Sequence, residues 1–257
     1  MAWRLIENRN NMKRLSLILT FALLSLGLHS QATSPIRISA SHLLDEERKV
    51  SNFTGIAIGG SIKTYVKIGN TESLRLEGDQ EAIDQLITEV KDGTLSIRPK
   101  NSEWKRWFKN NSNNTRVTAY ITVKKLTSLA LSGSGSIEVE QTINTNSLDV
   151  ALSGSGSIKA TVNTQTFDAA VSGSGGLNIS GKAKKADIAV SGSGGFSGRA
   201  FSAENVDAHV SGSGSVYIDA QKSIDAATSG SGSVNYTGNP SSVSKASSGS
   251  GRVRKVD

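Results

Sequence analysis

The tetrapeptide Ser-Gly-Ser-Gly occurs seven times, starting at Ser132, Ser153, Ser172, Ser191, Ser211, Ser229 and Ser248, in steps of 21, 19, 19, 20, 18 and 19 residues. Between the copies run stretches of alternating apolar and polar residues. A flexible Gly/Ser linker has neither that period nor those flanks. A fixed period of about 19 residues means that one small unit is stacked on itself, because no unit of that size buries its apolar face alone.

Aligning the copies turns the repeat into columns. The residue before the motif is Leu131, Leu152, Val171, Val190, Val210, Thr228 and Ser247. Two earlier stand Leu129, Val150, Ala169, Ile188, Ala208, Ala226 and Lys245, and two earlier again Thr127, Leu148, Phe167, Ala186, Val206, Ile224 and Val243. Side chains alternate across a strand with period two, so these three columns share one face. After the motif a second apolar column begins: Ile137, Ile158, Leu177, Phe196, Val216, Val234 and Val253. The fold class that satisfies both is all-β: a parallel β-helix with about one repeat per coil, each coil a strand, a small-residue corner, a second strand and a polar turn. Seven coils at about 4.8 Å each rise roughly 34 Å. The corner glycines are Gly133 and Gly135, Gly154 and Gly156, Gly173 and Gly175, Gly192 and Gly194, Gly212 and Gly214, Gly230 and Gly232, and Gly249 and Gly251. They are expected to be structural: a tight corner needs backbone angles open to Gly, and corners stacked on every coil leave no room for larger side chains. Stacked Ser hydroxyls are expected to bond one another or the next coil.

The rest of the chain divides around this block. Lys13 and Arg14 precede an apolar run over 15–28, followed by Ser30-Gln31-Ala32, which reads as a secretory signal peptide over 1–32. Met12 is an alternative start to Met1. The run is shorter than the roughly 20 residues of a membrane span, and no later segment is apolar enough for one. Residues 33–49 read as a flexible leader and 50–257 as a single β-helix domain, with irregular opening coils over 50–127 and the repeats over 128–257. Within the opening, Asp79 is expected to cap a short helix. Ala82, Ile83, Leu86, Ile87 and Val90 recur at helical spacing, and Asp92-Gly93 closes it.

Composition excludes several classes. The chain contains no Cys, so it is neither a disulfide scaffold nor a lipid-anchored lipoprotein. Its formal charge of +7 is spread along the chain, with residues 128–250 net −2 (seven basic, nine acidic). A nucleic-acid-binding protein concentrates positive charge on one face, so no nucleic-acid partner is expected.

The Ser-Gly-Ser-Gly corners flanked by Leu/Val and Ile/Val resemble those of the "putative autotransporter adhesin, head GIN domain" family of secreted Bacteroidetes-type proteins. The opening resembles it too: Val50-Ser51-Asn52-Phe53-Thr54-Gly55-Ile56, the strand from Leu74 to Gly78, Asp92-Gly93-Thr94-Leu95-Ser96-Ile97, and the strand from Val117 to Val123 that enters the first repeat. The resemblance covers about 50–257. It implies a β-helix-like fold, an envelope or surface location and no catalytic residues. No membrane β-barrel stretch follows the repeats in this sequence, so self-export across an outer membrane is not expected.

Two constellations stand out as candidate sites. Asp149, Asp168, Asp187, Asp207 and Asp225 lie four residues before the motif in five consecutive coils, alternating with the core and therefore pointing outward. Unit charges 4.8 Å apart repel by about 1 to 3.5 kcal/mol per pair at effective dielectrics of 80 to 20. The row is either offset locally by backbone N–H groups and water, or it is a row of metal ligands for calcium. The repeats lack the Gly-Gly-x-Gly-x-Asp run of calcium-binding β-rolls, so no cofactor is expected. The second constellation, Trp104-Lys105-Arg106-Trp107-Phe108-Lys109, reads as a ligand-binding loop for sugars or anionic surfaces, or as a cover over an open edge of the helix. His209 interrupts a column otherwise made of Ala130, Ala151, Ala170, Ala189, Ala227 and Ala246, and no nucleophile–base spacing is present. The sequence therefore points to a non-enzymatic exported protein of the periplasm or cell surface that binds an envelope or extracellular glycan or protein. Two alternatives stay open: an envelope structural protein that stacks end to end, and a polysaccharide-cleaving β-helix enzyme.

Overall fold

The computed structural model describes residues 43–100 and 117–256. Within them lie seventeen strands and one short helix. The repeats form a parallel β-helix. Strands β11 (Ser157–Gly173) and β12 (Gly176–Gly192) pair without a register shift, Phe167 against Ala186, Asp168 against Asp187 and Gly173 against Gly192. Strand β13 (Gly195–Gly212) continues the stack on β12, and β14 (Ser215–Gly230) on β13. The inward columns are the aligned ones: Leu129, Val150, Ala169, Ile188, Ala208 and Ala226 are all buried, as are Ile137, Ile158, Leu177, Phe196, Val216 and Val234.

In β11 and β12 the inward phase slips by one residue at the turn of the coil. In β11 the inward set runs Ile158, Ala160, Val162, Thr164 and then Phe167, Ala169, Val171. At the bend the Thr164 hydroxyl lies 2.9 Å from Thr166 O and 3.0 Å from Asn146 O of the coil before. This is the polar turn of the coil.

The other bend is the Ser-Gly-Ser-Gly corner, and the two glycines serve different needs. Gly154 has φ +114°, and a Cβ there would stand 2.5 Å from Gly133 O. Gly156 points inward, where a Cβ would stand 2.5 Å from Gly135 O and 2.8 Å from Leu131 Cδ2. The backbone carries the stack: Gly133 O accepts from Ser155 N at 2.9 Å and Gly156 N at 3.0 Å. The same double acceptance recurs at Gly154 O and Gly173 O. The first serines of the corners are exposed or half-exposed along this edge; the expected hydroxyl ladder gives way to this backbone ladder.

Departures from the 19-residue step are local. The 20-residue step from Ser191 to Ser211 places its extra residue in β13, where the register shifts between Gly198 and Ser202. Gly198 is needed because a Cβ would lie 2.6 Å from Phe196 Cε1. The Phe196 ring packs with Phe167 and Phe201 at centroid distances of 6.0 and 6.1 Å.

An eighth corner precedes the repeats. Strands β2 (Gly55–Gly60) and β3 (Lys63–Ile68) lie parallel on β8 (Ser128–Gly133) and β9 (Ser136–Val139). Gly60, with φ +88°, presents its carbonyl to Ser134 N and Gly135 N at 3.0 Å each. Beyond it, β6 (Thr94–Pro99) and β7 (Val117–Val123) continue the two sides of the coil.

The chain then closes this end with antiparallel strands. Strand β5 (Leu86–Lys91) covers β6, β4 (Ser73–Asp79) covers β7, and β1 (Leu43–Arg48) covers β4. Two sequence expectations are corrected here. The expected short helix with its Asp79 cap is present but stops early: α1 spans Gln80–Asp84, with Asp79 accepting from Ala82 N at 3.2 Å. The helical spacing through Val90 is instead a strand, because Asp92 and Gly93 both take positive φ, +49° and +71°. That is the two-residue turn of a β-hairpin, not a helix stop. The leader expected over 33–49 also ends early, since 43–48 is strand β1. Its composition, Leu-Leu-Asp-Glu-Glu-Arg, hides this. Arg48 fastens it, donating to Ile83 O and Leu86 O at 3.0 Å and to Thr88 Oγ1 at 2.7 Å.

Candidate binding face

The strand stretch that enters each corner turns Asp, Ala and Ser outward in alternation. Parallel pairing without slippage then makes three rows across the coils. The middle row is Ala57, Ala130, Ala151, Ala170, Ala189, His209, Ala227 and Ala246. Beside it run the five aspartates, extended by Ser128 at one end and Ser244 at the other. On its other side run the first serines of the corners.

Methyl groups between two rows of longer side chains leave a trough. It follows the helix axis over eight rungs and holds about 860 Å³ of open space. A second hollow of about 520 Å³ lies between the Asp and Ala rows from Asp149 to His209. His209 is the one large residue on the floor. Its Nε2 lies 2.9 Å from Asp207 Oδ1.

The structure brings all five aspartates into one row, each opposite the next. The row is relieved unevenly. Lys185 Nζ reaches Asp187 Oδ2 at 2.8 Å, and that bond, together with the surrounding carboxylates, raises the ammonium's pKa. Asp168 lies between Asp149 and Asp187. Burial pushes its carboxyl above the usual carboxylate range, the charges of Asp187 and Asp149 push it further, and Lys185 pulls the other way. Among the described residues no three acidic or histidine side chains converge on one point; the carboxylates are spread one per rung.

The hexapeptide Trp104, Lys105, Arg106, Trp107, Phe108 and Lys109 lies outside the described residues. The ends that flank it, Pro99 of β6 and Val117 of β7, stand at the corner edge of the first coils.

The opposite outer face carries a feature that the sequence reading missed. The Tyr65 and Tyr120 rings stack across β3 and β7 at 5.6 Å and 17°. Lys63 Nζ lies 4.8 Å from the first ring and the Arg75 guanidinium 4.2 Å from the second. Arg75 is held in turn by Asp45 at 2.7 Å. This ladder depends on the antiparallel strand β4, which periodicity does not reveal.

These features define a parallel β-solenoid that displays one repetitive face of small and acidic residues. The chain belongs to the family described as "putative auto-transporter adhesin, head GIN domain", whose model matches residues 52–240. No protein of curated function matches it in sequence. Among solved structures it is similar to a putative adhesin from Bacteroides fragilis, at 24% identity and TM-score 0.74, over 83% of this chain and 97% of that one. It is also similar to a putative lipid binding protein from Parabacteroides distasonis, at 25% identity and TM-score 0.66, over 83% and 96%. A putative adhesin from Parabacteroides merdae shares 18% identity at TM-score 0.64, over 84% and 96%.

Proposed function

We propose that this protein is a non-enzymatic, exported envelope or surface module that binds an extracellular glycan or protein along its Ala/Ser/Asp face. The observation that carries the reading is the trough itself. A core-forming repeat needs only its inward columns, yet the outward Ala row is kept small on seven of eight rungs. Small side chains outside a core gain nothing from packing within the molecule. They do let a long partner approach the sheet, with carboxylates on one flank and hydroxyls on the other to fix its position. The family's adhesin description supports a binding role, as does the regularity of the acidic row, since an enzyme places one irregular site where this face repeats itself. Export fits the Lys13-Arg14 apolar leader, and among the described residues no helix is long and apolar enough to cross a membrane.

The test fills the trough without touching the core. Ala151→Arg and Ala170→Arg change outward, solvent-exposed positions, so the melting temperature is expected to stay within a few degrees. Binding to a glycan array or to host-cell and envelope extracts, with and without calcium, is expected to fall at least tenfold. Binding that survives both substitutions overturns the reading.

End-to-end stacking is disfavoured by the last coil. Strand β16 (Ser242–Gly249) carries Lys245 in an inward column, and an inward charge on an edge strand blocks pairing with another sheet.

A further inference from the structure

The repeats end on a rung unlike the others. Strands β16 and β17 (Arg252–Lys255) each pair on one side only, with β14 and with β15 (Ser233–Thr237). The core columns finish here, and their last members are Val243, Lys245, Ser247, Val253 and Lys255. Two columns that are apolar one rung earlier, at Ala226 and Tyr236, thus terminate in lysine. Val243 is 42% exposed, and Lys245 Nζ lies over the Tyr236 ring at 5.1 Å. Arg252 and Arg254 flank this end from the outer face.

The charge here is mostly positive. Residues 226–257 contain four cations, Lys245, Arg252, Arg254 and Lys255, against one acidic residue, Asp257. Two of them make hydrogen bonds to neutral amide oxygens: Arg254 Nε donates to Asn235 Oδ1 at 2.7 Å, and Lys255 Nζ donates to Asn239 Oδ1. Among the described residues none of the four forms an ion pair. Asp219 and Asp225 lie one rung further in and on the sides; Asp219 is engaged by Thr237 and Gln221.

A rung that only had to stop the stack would need polar side chains of either sign. Four cations beside the exposed Val243 and the half-buried Val253 make instead a basic end with a small apolar spot, the composition that associates with a charged lipid interface. We propose that this end docks on the surface of an anionic phospholipid bilayer. The solenoid then stands with its axis away from the membrane and its trough free along the side. The proposal does not depend on what the trough binds.

Each cation near an anionic bilayer strengthens binding about fivefold at low salt, so four give several hundredfold. The experiment is vesicle co-sedimentation of the full chain with phosphatidylglycerol/phosphatidylcholine vesicles and with phosphatidylcholine alone. Wild type is compared with Lys245→Glu/Lys255→Glu and with the distal control Lys124→Glu/Lys125→Glu. The control carries the same charge change about six rungs away, roughly 29 Å, beyond the Debye length. The apolar run over 15–28 is common to all three, so its own lipid affinity cancels. Binding to anionic vesicles is expected to fall at least 50-fold for the end variant and less than threefold for the control. The difference is expected to vanish on zwitterionic vesicles and at high salt. Equal binding by wild type and end variant overturns the proposal, and so does an equal loss in the control. If the reversal instead changes concentration-dependent sedimentation without vesicles, the end is a self-association surface and the proposal fails. Should the first variant not fold, Arg252→Glu/Arg254→Glu reverses the same charge on outward positions.

Discussion

Gly175 and Gly176 are neighbours in the chain, yet the stack treats them oppositely. At Gly175 a Cβ would stand 2.5 Å from Gly156 O and 2.9 Å from Leu152 Cδ2, whereas at Gly176 it would meet nothing within 4 Å. Neither lies in the left-handed region, so conformational strain does not separate them. For Gly175→Ala, relieving the clash opens the corner by about 0.7 Å, judged against ordinary packing contacts. The bond from Gly176 N to Gly156 O, now 3.1 Å, then passes beyond hydrogen-bonding distance. Losing it and leaving that carbonyl poorly paired costs about 1–3 kcal/mol, and overpacking Leu152 adds about 1–3 kcal/mol. A loss of roughly 2–6 kcal/mol lowers Tm by about 4–24 °C for a domain of this size. Gly176→Ala adds a methyl group in open space and restricts the unfolded chain. It is expected to stabilise by about 0.4–1 kcal/mol, and four other coils already carry Ser in that column. Paired thermal and urea unfolding followed by circular dichroism measures the difference. If both substitutions destabilise alike, the corners need glycine for flexibility and not for room, and the close-stacking argument is wrong.

Two further substitutions probe polar groups. Asp168 has its carboxyl pKa raised in the folded state, so the folded protein binds that proton more tightly than the unfolded chain. Its contribution to stability is therefore greatest below the unfolded carboxylate value of about 3.9 and declines as pH rises through the folded value. Asp168→Asn is expected to raise Tm at neutral pH and to flatten the Tm–pH profile on the acid side; an unchanged profile would show that the row is fully relieved by solvent. Thr64 is wholly buried in a column shared with Ile137 and Ile158, and its hydroxyl has no partner. Thr64→Val removes that cost and is expected to stabilise by about 1 kcal/mol, or about 2–4 °C; a fall in Tm would mean that the hydroxyl is satisfied.

What could be read from the sequence follows from where each residue finds its partners. In the repeats every residue faces its own counterpart one coil away, so alignment alone yields the inward columns, the Asp row and the corners. The expected register, Asp149 against Asp168 against Asp187, is the observed one. The closing strands have no such echo. Strand β1 is held by Arg48 donating to Leu86 O, 38 residues away, and nothing in Leu-Leu-Asp-Glu-Glu-Arg announces a strand. At 86–90, apolar residues at Leu86, Ile87 and Val90 satisfy helical spacing and a hairpin equally, and only the left-handed Asp92-Gly93 turn decides between them. The trough was hidden for a different reason. The Ala column was visible, but a column of small residues becomes a groove only when its neighbours are longer and the sheet beneath is continuous. Both conditions belong to the assembled face and not to any one strand. The same logic explains the last rung. Lys245 and Lys255 break apolar columns and look like decay of the repeat when read along the chain. Read across the stack, they stand where a core column meets solvent, so an inward lysine there keeps its charge in water.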